Sequence, residues 1–255
     1  MLIKWRSLLC YSFFFVIASV FLFLDTCMPG HYFKIVLFMV FSFYSSVSFS
    51  GIVVGGTRVI FPGNAPDATI SIYNKESKLS YLIQSWVDPF DKNDKSKPPF
   101  TTIPPVSRLE AGQEKILRII KTEGNLPTDR ESVFWFNVKN IPPSTNKKEG
   151  SSLEIAIKTR IKLFWRPASI TITPEKAVAK VSWQRQGNKL MVNNPTPIHI
   201  NVMSVIVDGK DITLNMIKPF ETIALDIPEG AAGRSLVWQF INDYGAISDP
   251  IKRAL

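Results

Sequence analysis

Cysteine is almost missing from this 255-residue chain: Cys10 and Cys27 are its only two. Both lie upstream of Gly51, where the mature chain is expected to begin, which leaves the mature protein without a thiol or a disulfide. Such a protein must hold together in an oxidising compartment through its core alone. The residues before the two cysteines are Leu9 and Thr26, not the small residue that a lipoprotein signal needs, so a lipid anchor is not expected. Histidine is as scarce, with His31 and His199 the only two. A metal site needs His, Cys or carboxylate ligands clustered at ligand spacing, and none is visible. Gly-x-Ser-x-Gly and a phosphate-cradling glycine loop are also missing, which argues against an enzyme and implies no cofactor. His199, in the stretch PIHINV, reads as a strand residue. No stretch of a dozen residues after Gly51 keeps a helical stripe, which speaks against a helical fold.

What the N-terminus does contain is long apolar runs. Leu8–Leu24 is uncharged and follows Lys4 and Arg6; a second run begins at Ile35, behind His31 and Lys34, and ends at Ser48 and Ser50, which fit a small-x-small cleavage rule. Residues 1–50 therefore read as a leader that directs export, with Met28 as a candidate true start and the first run an upstream extension or part of a longer leader. A pair of membrane helices is the competing reading.

The formal net charge is +9. It hints at an acidic partner, but most of the surplus is scattered singly, without the basic run of a nucleic-acid-binding protein. The exception is IKTRIKLFWRP, residues 157–167, in which Lys158, Arg160, Lys162 and Arg166 alternate with apolar and aromatic residues.

From Gly51 onward the pattern is that of short strands. VVGGTRVIF, ATISIYN, SYLIQSWV, KILRII, VFWFNV and LEIAIKTRIKLFW are β-branched or aromatic, partly alternating, and separated by turn signals such as FPGNAPD, EGNLPTD and NIPPSTN. They imply an antiparallel sandwich over residues 51–167. SITITP, KVSWQRQ, KLMVNN, IHINVMSVIV, ETIALDIP and SLVWQFIN repeat the rhythm over residues 168–255. The expected fold is all-β, two sandwich domains in series. The junction after FWRP has no Gly/Ser linker, so the domains are expected to keep a fixed angle with a cleft between them. Within LEIAIKT, Leu153, Ile155 and Ile157 share one face at period two. Lys162 has the opposite parity, so a bulge or sharp twist near Thr159 is expected if all four are to act together. Lys158 and Arg160 read as solvated edge-strand charges that discourage self-pairing. Pro104–Pro105 and Pro142–Pro143 read as rigid turns, one with a cis bond.

TRVIFPG (57–63), IPPVSRLEAG (103–112), LPTDRESVFWFNVKNIPP (126–143), IKLFWRP (161–167), NPTP (194–197) and INDYG (241–245) occur in an order and spacing that resembles the periplasmic chaperones of the chaperone–usher pilus pathway. The resemblance runs from Gly51 nearly to the end. It implies two immunoglobulin-like domains in a boomerang, a periplasmic location, and binding of pilin subunits for delivery to an outer-membrane usher. It also implies a mechanism: an incomplete subunit is repaired by a donated strand, with Leu153, Ile155 and Ile157 filling its groove, while Arg58 and Lys162 anchor its C-terminal carboxylate. Glu131, Arg166 and Asp243 match an ion network that holds the domains at their angle. The short polar segment STNKKEGSS before the donor strand resembles the short-loop subclass. No nucleic acid is implied as partner, and weak self-association of the free protein through the donor edge is expected. An immunoglobulin-like fimbrial adhesion or structural module is the alternative; it would carry its donor segment at the N-terminus and usually a cysteine pair, not a mid-chain donor.

Overall fold

The structure, a computed structural model, describes residues 51–143 and 154–255. The leader and Leu153 of the expected donor strand lie outside the described residues.

Alternation sets the first sandwich. In β3 (Asp67–Asn74), Ala68, Ile70 and Ile72 are buried while Thr69 and Tyr73 are exposed, the signature of a sheet with one covered face. This strand lies between β1 (Ile52–Val54) and β7 (Glu114–Lys121), with β5 (Phe100–Ile103) beyond, in the order β1-β3-β7-β5. The facing sheet has the order β2-β9-β8-β4-β6, from β2 (Arg58–Pro62), β9 (Ile157–Arg166), β8 (Ser132–Ile141), β4 (Tyr81–Pro89) and β6 (Val106–Leu109). Phe61, Ile83, Phe136, Val138, Ile161, Leu163 and Trp165 fill the space between the sheets together with Ile72, Leu117 and Ile119. The chain thus enters in one sheet as β1, passes Gly55 and Gly56, and crosses to the other as β2. There β2 pairs parallel with β9, from Arg58 opposite Lys162 to Pro62 opposite Arg166. Among the described strand pairs this is the one parallel pair. Ile103–Pro104 is a cis peptide.

The second sandwich sets β10 (Ser182–Gln186), β11 (Lys189–Asn193) and β15 (Thr222–Asp226) against β13 (Lys210–Asp211), β12 (Ile200–Val207), β16 (Ser235–Ile241) and β17 (Ile251–Ala254), with β14 (Met216–Ile217) on β12. Its core is centred on Trp238, which meets Trp183 edge-on at 5.2 Å.

Three sequence expectations differ. SITITP forms no strand: Pro167 lies two residues before it, and its own last residue, Pro174, opens the short helix α1 (Pro174–Val178), capped by Thr173, while Ile170 and Ile172 pack on the second core. No bulge occurs near Thr159, because the β8–β9 register runs unbroken from Asn140 opposite Ile157 to Ser132 opposite Trp165. His199 stands one residue before β12 and is not part of it.

Candidate functional site

Regular pleating divides β9 into two faces. Ile161, Leu163 and Trp165 point into the core of the first sandwich, and Ile157 lies on the same side but past the core's edge, 58 % exposed; Ile155, just before the strand, is 63 % exposed. Ile155, Ile157, Leu79, Tyr81 and Pro142 border a cavity of about 390 Å³ at this end of the sandwich. The opposite face carries Lys158, Arg160, Lys162 and Arg166. Ile157 and Lys162 therefore lie on opposite faces of a regular strand, with no bulge between them.

The two edges of β9 also differ. On one side β8 pairs with it from Ile157 to Trp165, and on the other β2 begins only at Lys162. Residues 157–161 thus present an edge with no strand partner among the described residues. An unpaired strand edge is a template for another strand.

Where that edge meets β2, the parallel register sets Arg58 beside Lys162. Lys162 Nζ donates to Asn201 Oδ1 at 2.7 Å, and Arg58 Nη1 donates to the Ile241 carbonyl at 3.4 Å, both acceptors belonging to the second sandwich. Arg58 Nε is buried with no hydrogen-bond partner, and neither cation makes an ion pair among the described residues. Burial, and secondarily the charge of Arg58, pushes Lys162 down to about 8; burial also lowers Arg58, against the opposing field of Asp243. Two half-buried cations side by side form a site complementary to a carboxylate, which Arg meets with a planar fork and Lys with a compact charge.

Arg166, on the same face of β9, is fully engaged. Its Nε donates to Glu131 Oε1 at 2.9 Å, while Nη1 and Nη2 donate to the two carboxylate oxygens of Asp243 at 2.7 and 3.0 Å. Burial disfavours its charge, but the hydrogen bonds and fields of Asp243 and Glu131 outweigh that and hold its value above the ordinary one. Glu131 is buried, and its Oε2 accepts from the His199 backbone N–H and from Nδ1–H, each at 2.9 Å. The network thus has four members across the two sandwiches. Sequence reasoning missed His199 and Asn201; the only available signal was the polar pair interrupting the apolar PIHINV stretch. Gly245 lets the Asp243 loop approach β2, since a Cβ there would collide with the Thr57 hydroxyl.

Lys158 and Arg160 are not freely solvated. Lys158 lies over the Trp86 ring at 4.8 Å and Arg160 over Trp135 at 5.4 Å, and both are 3.7 Å from Asp88.

Two family models cover these sandwiches: the N-terminal domain of the PapD pili and flagellar-assembly chaperones over residues 51–171, and the C-terminal domain of PapD pili-assembly chaperones over residues 176–252. The chain belongs to the PapD-type pili-assembly chaperones. The chaperone FocC of Escherichia coli is 38 % identical over 217 residues, spanning 84 % of this chain and 94 % of its own. A chain of the solved Salmonella enterica complex of the SafA pilin with the SafB chaperone superposes with a TM-score of 0.72 at 38 % identity, over 83 % of this chain and 99 % of its own. The E. coli chaperone DraB gives 0.69 at 36 % identity, over 81 % and 97 %. Membership in this family makes the protein a chaperone of fimbrial assembly, with the nearly all-β, two-domain architecture of its relatives.

Proposed function

We propose that this chaperone captures an incomplete pilin subunit by lending it the exposed half of β9, holds the subunit's C-terminal carboxylate between Arg58 and Lys162, and passes it to an outer-membrane usher. The work would be done in the periplasm after removal of the leader, which leaves a mature chain of two domains, residues 51–167 and 168–255. The observation that carries the reading is the place where the free edge ends. A strand laid along residues 157–161 occupies the lane that β2 takes over at Arg58. If it runs parallel to β9, its last residue abuts Arg58 and Lys162; an antiparallel strand would bring a positively charged N-terminus there. The cations therefore favour the parallel direction and fix the register by a covalently unique group, the terminal carboxylate. Backbone pairing along the edge and burial of Ile155 and Ile157, with Leu153, repair the subunit's two defects, unpaired amides and an uncovered apolar groove. Glu131, Arg166, Asp243 and His199 keep the second sandwich in place behind the clamp.

The test is copurification of subunits from periplasm expressing the tagged chaperone. Wild type is expected to retain pilin-like subunits, and Arg58→Ala and Lys162→Ala to lose them, with a deficit of about 2–5 kcal/mol, the usual cost of removing one partner of a desolvated charge pair. Equal retention by both variants would refute the clamp.

A further inference from the structure

We propose that Lys158 and Arg160 form a row that reads acidic side chains: they select subunits whose last strand carries Asp or Glu at the outward positions beside them. The proposal rests on the strand capture described above, and it makes β9 sensitive to side chains as well as to backbone.

The five strands β2, β9, β8, β4 and β6 contain seven basic residues and a single acid, Asp88. Lys158 and Arg160 share Asp88 Oδ2 at 3.7 Å, too long for a direct hydrogen bond. The Asp88 oxygens already accept from Trp86 Nε1 at 3.0 Å and Asn137 Nδ2 at 3.1 Å. One carboxylate thus faces two cations, and Lys139, directly opposite Lys158, adds a third positive charge to the same face.

A free lysine or arginine on a strand samples many rotamers, which makes it a poor recognition element. Here each cation lies over an indole, and Arg160 Nε also donates to Asn137 Oδ1 at 3.1 Å. Trp135 is itself fixed, stacked on Phe90 at 5.0 Å with its Nε1 donating to the Phe90 carbonyl. Both cations are thereby ordered over β8 and β4, on the side of β9 away from the open edge, so an acidic side chain arriving at that edge competes with the indoles and Asp88 for their charge.

Lys158 and Arg160 lie on the part of β9 whose second edge has no strand partner among the described residues. A strand added there sends every second side chain to the same face, with Cβ atoms about 5 Å from theirs, where opposite charges attract and like charges repel. A purely protective role needs only the repulsion of a second basic edge, whereas selection of subunits also requires that Asp bind more tightly than Asn.

The probes are labelled nine-residue peptides with a free C-terminal carboxyl and valines at alternate positions. The intervening positions carry Asp, Asn or Lys in three versions, and a second set shifts the pattern by one residue. A C-terminally amidated copy of each is included, and binding to the purified protein is followed by fluorescence anisotropy. In one of the two phases, the Asp peptide is expected to bind roughly three- to tenfold more tightly than Asn, and Lys more weakly than Asn, as two cross-strand charge pairs imply. The preference is expected to disappear in Lys158→Gln/Arg160→Gln and to shrink at about 0.5 M salt. Equal binding of Asp, Asn and Lys, with the amide still weaker, would overturn the acid-reading row and leave the carboxylate clamp standing. An Asp preference that survives in the double variant would overturn it too, placing the selection elsewhere. Amide and acid binding alike, with the Asp preference intact, would sink the clamp and keep the row. Failure of every peptide to bind would overturn both, since the edge would then not accept a strand.

Discussion

Lys162 and Arg166 are one helical turn's count apart in sequence but lie on the same face of one strand, and their surroundings follow opposite logic. Arg166 is met by two carboxylates, one of them buried, and every donor that faces them is used. Lys162 is met by another cation and a neutral amide oxygen. A buried charge with complete partners describes a joint. A half-buried charge beside a like charge, with burial lowering its affinity for protons, is unfavourable in the free protein and becomes favourable when an anion arrives. The difference separates the residue that shapes the molecule from the residue that would bind.

The largest expected effect tests that separation directly. Arg166→Ala leaves Glu131 and Asp243 uncompensated in the joint and is expected to cost about 3–5 kcal/mol in urea denaturation. Lys162→Met removes a desolvated charge and its repulsion from Arg58, so its urea midpoint is expected to stay level or rise. Equal destabilisation by the two variants would erase the distinction and make Lys162 structural.

A smaller effect is expected from pH, with a definite sign. The value of Lys162 falls from 10.5 in the unfolded chain to about 8 in the fold. Between those limits the unfolded chain binds more protons, so this group makes stability rise with pH through the window from 8 to 10.5. Carboxylate binding changes in the opposite direction, because the neutral amine no longer attracts the anion. Peptides with a free C-terminus are expected to weaken by up to about tenfold per pH unit above 8, while amidated copies stay flat. Lys162→Arg is expected to remove the pH dependence, since a guanidinium stays charged throughout.

The difference between the joint and the proposed clamp was only partly legible in the sequence. Period-two alternation in ATISIYN identified inward residues and hence one covered face of a sheet. The motif resemblance picked out Arg58, Lys162, Glu131, Arg166 and Asp243 and implied their separate duties, which composition alone does not distinguish. That distinction depends on the parallel register of β2 with β9 and on what the second sandwich brings up behind it, Asn201 and the Ile241 carbonyl at one station, Asp243 and His199 at the other. His199 was read as an ordinary strand residue because its partner Glu131 is 68 residues away. Lys158 and Arg160 were read as plain solvated charges because nothing local announces that Trp86 and Trp135 lie beneath them. SITITP fails as a strand for a local reason: its last residue, Pro174, starts a helix, and Thr173 caps it.

The smallest expected change in stability comes from the exposed end of the same strand, where Ile157 repeats the face of Ile161 without its surroundings. Ile161 is buried between the sheets, and Ile161→Ala is expected to cost about 2–4 kcal/mol. Ile157 is largely in water, and Ile157→Asp is expected to alter unfolding by no more than about 0.5 kcal/mol. If the isoleucine is kept there to enter a partner's groove, its effect appears only in association. An exposed apolar row beside an unpaired edge also lets two free chaperones pair weakly, so sedimentation of the wild type is expected to show concentration-dependent self-association that Ile157→Asp abolishes. A strict monomer at high concentration would argue against self-association through this edge.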